Sequence, residues 1–241
     1  MLYTVRDDCA RDLEGTLRAV AGVGYEGVEL YSLHGHEPGV VRRWLGELGL
    51  AVAGRHASLE ALENGLPELA GDLRVLSCDR IVLSWIEPPG TLGDARAAAD
   101  RIAGVARRAA ELGLRLGFHN HAGELASIEG DGTFLELLLE QPADLLWLEL
   151  DLGWAWEAGA DPVVWLERAR GRSPLVHVKD FRGRGTATYC PVGDGEVGYD
   201  RVLPAAVAAG VEWLLVEQDE TDGPALAAAE RSLEYVRRVL A

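Results

Sequence analysis

The sequence predicts one (β/α)8 barrel, a TIM barrel, spanning residues 1–241, on three observations. Short β-rich runs alternate with longer amphipathic runs along the whole chain, the pattern of repeated βα units around a parallel sheet. There are eight of each, the count at which such a sheet closes on itself. The length of 241 residues and the 48% hydrophobic content suit a single core of that size, and no linker or low-complexity run marks a second domain.

The expected strands are Leu2–Val5, Gly27–Leu30, Ala51–Gly54, Arg80–Ser84, Arg115–Phe118, Leu145–Leu150, Leu175–Val178 and Trp213–Val216, each followed by a helical segment. Glycines at 22, 24, 49, 113 and 210 stand where helices give way to strands, supplying left-handed C-caps at no steric cost. In the fourth helix, roughly 93–112, Ala97, Ile102, Val105, Ala109 and Leu112 form the stripe expected to face the barrel wall. The longest irregular stretch, 180–198, is expected to be a βα loop.

A formal charge of −16 repels a phosphate backbone, so nucleic acid is not an expected partner. The arginine pairs 42–43, 107–108 and 237–238 fall on helical patterns and read as solvated faces. Cys9, Cys78 and Cys190 form no CxxC pair, which speaks against a disulfide framework or thiolate zinc site and for a reducing cytoplasm. The chain runs from Leu2-Tyr3-Thr4-Val5 straight into charge, so neither secretion nor a membrane partner is expected.

Residues at the C-terminal ends of barrel strands converge on one mouth, where catalysis is placed. Period-two alternation puts Glu149 and Asp151 of the sixth strand on one face, and His177 and Lys179 of the seventh likewise. With Glu217 ending the eighth, Asp151 and His177 make a mixed oxygen and imidazole set suited to manganese, magnesium, cobalt or zinc. The fifth strand offers a further donor from His119, His121 or Glu124. Buried like charges are costly unless a cation neutralises them, so a bound metal explains this cluster better than four separate structural roles do.

Lys179 is the only lysine among 23 basic residues, which suggests that arginine's planar fork is not tolerated there and that a point-charge donor to a substrate oxygen is needed. Glu29 and His56 either touch substrate or pair with Arg6 or Arg55 at the rim. His34 and His36 could chelate, but read more simply as solvated loop residues. Trp154 and Trp156 form an apolar wall over a sugar ring if their loop folds inward, and otherwise pack on a helix. The glycine-rich run 193–198 lacks a GK[ST] ending and carries acids, so it reads as a turn-rich rim and not a phosphate loop.

Taken together, the segments Gly24-Tyr25-Glu26-Gly27-Val28-Glu29-Leu30-Tyr31, Phe118-His119-Asn120-His121 through Glu124, Leu150-Asp151-Leu152-Gly153-Trp154, His177-Val178-Lys179-Asp180, Val192-Gly193-Asp194-Gly195 and Val216-Glu217-Gln218-Asp219 resemble the sugar phosphate isomerase/epimerase family of xylose isomerase-like barrels, inosose dehydratase-like members included. The resemblance covers essentially the whole chain. It implies one divalent ion held by Glu, Asp, His and Glu from strands five to eight. Asp151, His177 and Glu217 match the last three. Where many epimerases end strand five with glutamate, this chain has His119. Either His119 ligates, or His121 or Glu124 substitutes, with Glu124 set beside Asp151, His177 and Glu217 in the expected metal shell.

The chemistry implied is proton transfer beside a metal-held carbonyl of a keto-sugar or polyol, through an enediolate. Glu217 is the expected base, with Lys179, His119 and Glu149 as further catalytic groups. Glu29, His56, His121 and Trp154 are the expected substrate contacts. Isomerisation or epimerisation is the leading outcome and dehydration the alternative. A silent sugar-binding barrel and a DNA-repair endonuclease trail both. The partner is a small sugar or polyol without phosphate, since no anion nest or arginine cluster ends a strand. A homo-oligomer is compatible with this reading.

Overall fold

The computed structural model describes residues 1–241. Seven parallel strands lie side by side in chain order: β1 (Gly27–Leu30), β2 (Ala51–Ala57), β3 (Arg80–Leu83), β4 (Arg115–His119), β5 (Leu146–Asp151), β6 (Leu175–Val178) and Trp213–Val216. The connection before the last strand carries a small antiparallel hairpin, β7 (Asp180–Phe181) with β8 (Tyr189–Cys190), which makes Trp213–Val216 β9. The stretch expected to be an irregular loop is thus partly ordered as sheet. The outer layer is α1 (Arg6–Arg11), α2 (Leu13–Val23), α3 (Pro38–Leu48), α4 (Leu59–Asn64), α5 (Leu66–Val75), α6 (Leu92–Glu111), α7 (Phe134–Leu139), α8 (Leu152–Glu157), α9 (Pro162–Arg168), α10 (Tyr199–Ala208) and α11 (Ala225–Leu240). No helix is long and apolar enough to cross a membrane.

The expected first strand is not a strand. Leu2–Val5 forms a 3-10 turn between β9 and β1, leaving the barrel nearly closed. Leu2 and Val5 are both buried against Val28 and Leu30 while Tyr3 is 39% exposed. Residues three apart share a face of a 3-10 turn, whereas a strand would point them to opposite sides. The Met1 amine donates to the Val216 carbonyl at 2.8 Å and the Thr4 hydroxyl accepts from the Gln218 amide at 2.9 Å, tying the turn to the end of β9.

Local signals set the helix ends. Asp12 and Thr91 cap α2 and α6 by accepting from backbone amides, and Thr133 with Glu136 forms a full capping box on α7. Gly24 and Gly49 close α2 and α3 at φ 105° and 70°. On α6 the buried stripe includes Ala95, Ala99, Ile102, Val105, Ala106 and Ala109, whereas Ala97 is exposed. Alanine is compatible with either face, so packing decides which ones turn inward.

The inward side chains change character along each strand. Ala53, Val82, Trp147, Leu175 and Leu215 form an apolar plug. Two residues further along, Trp147 gives way to Glu149, Leu175 to His177 and Leu215 to Glu217. In register, His119 pairs with Glu149 and Asp151 with His177, so these groups lie at neighbouring heights above the plug. Gly117 makes room for the plug, because a Cβ there would lie 2.5 Å from the Trp147 indole.

Gly117→Ala therefore has to displace a buried indole. It should destabilise the protein by about 1–3 kcal/mol, read as a lower urea midpoint, while an unchanged midpoint would show that the plug is not tightly packed.

Candidate active site

Asp151 ends β5 and also caps α8. Its Oδ1 accepts from the Trp154 amide at 2.8 Å, leaving Oδ2 buried without a hydrogen-bond partner. Asn120 steadies it by accepting from the Asp151 amide at 3.0 Å. His177 is held at both ring nitrogens, with Nδ1 2.7 Å from Glu217 Oε2 and Nε2 2.8 Å from Glu29 Oε2. Beside it, His56 Nε2 lies 2.7 Å from Glu149 Oε2. Lys179 Nζ reaches three carboxylates, with Glu217 and Asp219 at 3.0 Å and Asp151 at 3.3 Å.

The Lys179 backbone is pinned as firmly as its side chain. The Tyr199 hydroxyl accepts from its amide and donates to its carbonyl, both at 2.8 Å. Gly153 presses on the same carbonyl, where a Cβ would come to 2.2 Å. The next residue, Asp180, is buried and accepts from the amides of Phe181, Gly193, Gly195 and Val197, folding the 193–198 run down against the barrel. That run encloses a carboxylate, in keeping with its failure to resemble a phosphate loop.

Burial and charge act in opposition here. Burial alone would lower Lys179, yet Asp151, Glu217 and Asp219 hold it well above the usual lysine range. Burial would raise Glu217, but Lys179 and His177 keep it well below the carboxylate range and so ionised. His56 is raised to about 10 because Glu29 and Glu149 outweigh its burial. Glu149 is pushed up to about 7 by burial and by the charge on Glu29. His119 is driven well below its ordinary value by burial and by His177, and His121 is lowered to about 4 by burial and Lys179. Neutral imidazoles of this kind are ligands and not cations.

Ligating atoms of His119, Asp151, His177 and Glu217 all lie within 4.8 Å of one another, and a deeper set of His56, His119, Glu149 and His177 does the same. Buried polar atoms are normally hydrogen-bonded, yet Asp151 Oδ2, His119 Nδ1, Glu149 Oε1 and Glu29 Oε1 make no hydrogen bond, although Asp151 Oδ2 lies 3.3 Å from the Lys179 ammonium and His119 Nδ1 3.4 Å from Glu149. A nitrogen and carboxylate donor set with unsatisfied acceptors fits a divalent cation. The first set adjoins a cleft of about 490 Å³ bordered by the ionisable His56, His119, His121, Lys179, Glu217 and Asp219 together with Met1, Tyr3, Tyr31, Ala57, Ser58, Ser84 and Trp85.

Most of the residues expected at the mouth meet there, but three are placed differently. Glu124 is buried on a 3-10 turn (Gly123–Leu125) and accepts from the His121 amide at 2.9 Å, outside either donor set. Glu29 pairs with neither expected arginine: Arg55 binds Asp72 at 2.7 Å, and Arg6 donates to the Tyr3 and Asp219 carbonyls. It lies beneath His177 and does not border the cleft. Trp154 sits on α8 among His121, Phe181 and Tyr189, with the Lys179 ammonium 5.2 Å from its ring centre, and does not border the cleft either. Trp156 stacks on Phe181 under Arg184. His34 and His36 pack on Tyr31 and Trp44, away from both donor sets.

Sequence reading missed Asp219, Asn120, Asp180 and Tyr199 as parts of the site, and Trp85 on the border of the cleft. The signal for Asp219 was available, since it follows Glu217 by two residues and so extends the same inward series. The others depend on how loops fold back over the strand ends.

A family model described as xylose isomerase-like TIM barrel matches residues 17–239. Among curated proteins, the rhizopine catabolism protein MocC of Rhizobium meliloti is 26% identical over 95% of this chain and 82% of its own length. Among solved structures, a sugar phosphate isomerase/epimerase from Parabacteroides distasonis superposes with a TM-score of 0.82 at 20% identity, covering 97% of this chain and 91% of that one. The probable 3-DHS dehydratase AsbF of Bacillus anthracis superposes at 0.74 with 16% identity, covering 92% of this chain. These structural likenesses concern the fold, which is shared by isomerases, epimerases and a dehydratase.

The donor set makes metal binding measurable without a substrate. Manganese at a hundredfold excess over its dissociation constant should stabilise the protein by about 2.7 kcal/mol, a rise of roughly 5–10 °C in thermal midpoint for a chain of this size, reversed by EDTA. Asp151→Asn keeps the cap acceptor on α8 but removes the anion, so it should abolish most of the rise. A wild-type midpoint indifferent to manganese and EDTA would contradict the donor assignment.

Proposed function

The chain belongs to the xylose isomerase-like TIM-barrel family, and from that premise we propose that it is a divalent-metal-dependent isomerase or epimerase of a keto-sugar or related polyol, working as one barrel domain over residues 1–241. The observation that carries this reading is the buried cluster of His119, Asp151, His177 and Glu217, in which Asp151 Oδ2 has no hydrogen bond, beside a buried lysine at the edge of a cleft. His119 is the fourth donor in place of Glu124, because it lies within the set and Glu124 does not.

A divalent cation bound there supplies Lewis acidity toward a carbonyl and its neighbouring hydroxyl, acidifying the adjacent C–H. Glu217, ionised and bordering the cleft, accepts that proton. Lys179 stays charged and donates toward the substrate oxygen on which negative charge develops. Glu29 holds His177 Nε2 and thereby fixes the ring so that Nδ1 faces Asp151 and Glu217.

Proton return falls to His56. It borders the cleft, carries a proton at neutral pH and is backed by Glu149 at 2.7 Å, which itself titrates near neutrality. His121, lowered to about 4, is a poor acid by comparison. Delivery to the adjacent carbon gives isomerisation, and delivery to the opposite face gives epimerisation. Delivery to a leaving hydroxyl gives dehydration. That second reading is favoured by the His119-Asn120-His121 run, which starts at the end of β4 where the resemblance leads one to expect glutamate in an epimerase. The three cysteines are all free, which supports a reducing, cytoplasmic setting.

Incubating candidate ketoses and inososes with manganese-loaded protein in deuterated water should place label on the carbon beside the carbonyl. Net loss of water would favour the dehydratase, and neither label nor water loss across the panel would contradict both. On a substrate that reacts, Lys179→Arg should cost at least about tenfold in turnover, roughly 1.4 kcal/mol in barrier. Glu217→Gln should cost about 10²–10⁴-fold. Wild-type rates in Lys179→Arg would remove the ammonium from the mechanism.

A further inference from the structure

The cleft is lined by two groups of opposite chemistry. One is the ionisable groups already assigned. The other is Tyr3, Tyr31, Ser58, Ser84 and Trp85, none charged at neutral pH; Met1 also borders the cleft, its amine donating to the Val216 carbonyl. At about 490 Å³, the space falls in the range of sites that enclose drug-sized ligands, more than a single sugar ring fills. Trp85 follows β3 at the barrel mouth and is 50% exposed, the most exposed aromatic side chain bordering the cleft. A large indole exposed on the border of a cleft offers a flat apolar face to a ligand ring.

The basic groups on the cleft border already have protein partners: His56 is held by Glu149 and the Met1 amine by the Val216 carbonyl. Lys179 is committed to Asp151, Glu217 and Asp219. Arg6, next to Tyr3, is held by the Tyr3 and Asp219 carbonyls. With Asp219 on the cleft border and a net charge of −16, no uncommitted arginine or lysine is left there to pair with a phosphate.

From these observations we infer that the substrate is a neutral glycoside: its reacting sugar ring lies over the donor set, and a second ring with a flat apolar face, aryl or sugar, stacks on Trp85. The assignment rests on the sugar-acting reading above and narrows its substrate class.

Unoxidised glycosides serve as unreactive probes. Isothermal titration of the full-length protein, with manganese in excess, would compare methyl glucoside, 4-nitrophenyl glucoside, cellobiose and glucose 6-phosphate, the glucosides in both anomeric forms. A stacked second ring should bind about five- to tenfold more tightly than the methyl group does. A gain confined to the nitrophenyl compound identifies an aryl aglycone, and a gain with cellobiose a second sugar. Trp85→Ala, at a half-exposed position, should erase that gain while leaving methyl glucoside affinity unchanged. Equal affinities across the glucosides, a gain that survives Trp85→Ala, or tightest binding of the phosphate would each overturn the inference while leaving a sugar-acting site intact. No binding by any of the four would overturn the sugar-acting reading along with it.

Discussion

The arrangement of the mouth depends on one constraint: four carboxylates, Glu29, Glu149, Asp151 and Glu217, are buried together in the barrel interior. Each would be expensive to desolvate alone, and together they repel one another. Lys179, His56 and His177 offset part of that charge, which is why all three are held above their ordinary proton affinities, and His177 would give up its extra proton on ligating a cation. The offset is incomplete. One oxygen each of Glu29 and Glu149 still lacks a partner, and Asp151 Oδ2 makes no hydrogen bond, meeting the Lys179 ammonium at 3.3 Å. A site left in this state is poised for a further positive charge, and the neutral His119 supplies a donor where that charge would sit.

The barrel makes this concentration of charge affordable by separating it from the core along the strands. Trp147, Leu175 and Leu215 close the interior below, and the inward positions two residues further on are ionisable. Above, Tyr199 and Gly153 lock the Lys179 backbone, while Asp180 gathers the 193–198 segment against the strand ends. The polar layer is thus rigid on three sides and open on the fourth, where the cleft meets it.

What the sequence made legible follows the same division. Strand alternation alone puts Glu149 with Asp151 and His177 with Lys179, because a period of two does not depend on distant contacts. The pairing of Glu29 with His177 joins residues 148 apart in the chain and depends on the stagger of strands across the barrel, which periodicity does not encode. Glu124 and His119 were indistinguishable as donors until the 3-10 turn carried Glu124 back to the His121 amide. Leu2–Val5 failed as a strand for a local reason: β-prone residues spaced three apart bury equally well on a 3-10 turn.

The central claim is that the buried carboxylates form a metal centre on the His119, Asp151, His177 and Glu217 set. Diffraction from manganese-soaked crystals at the manganese absorption edge tests it most directly. The account predicts a single strong anomalous peak within coordination distance of those four side chains, with Glu124 remote from it. A peak among His56, Glu149 and His177 alone, a peak at Glu124, or no peak at full manganese occupancy of the solvent would contradict it.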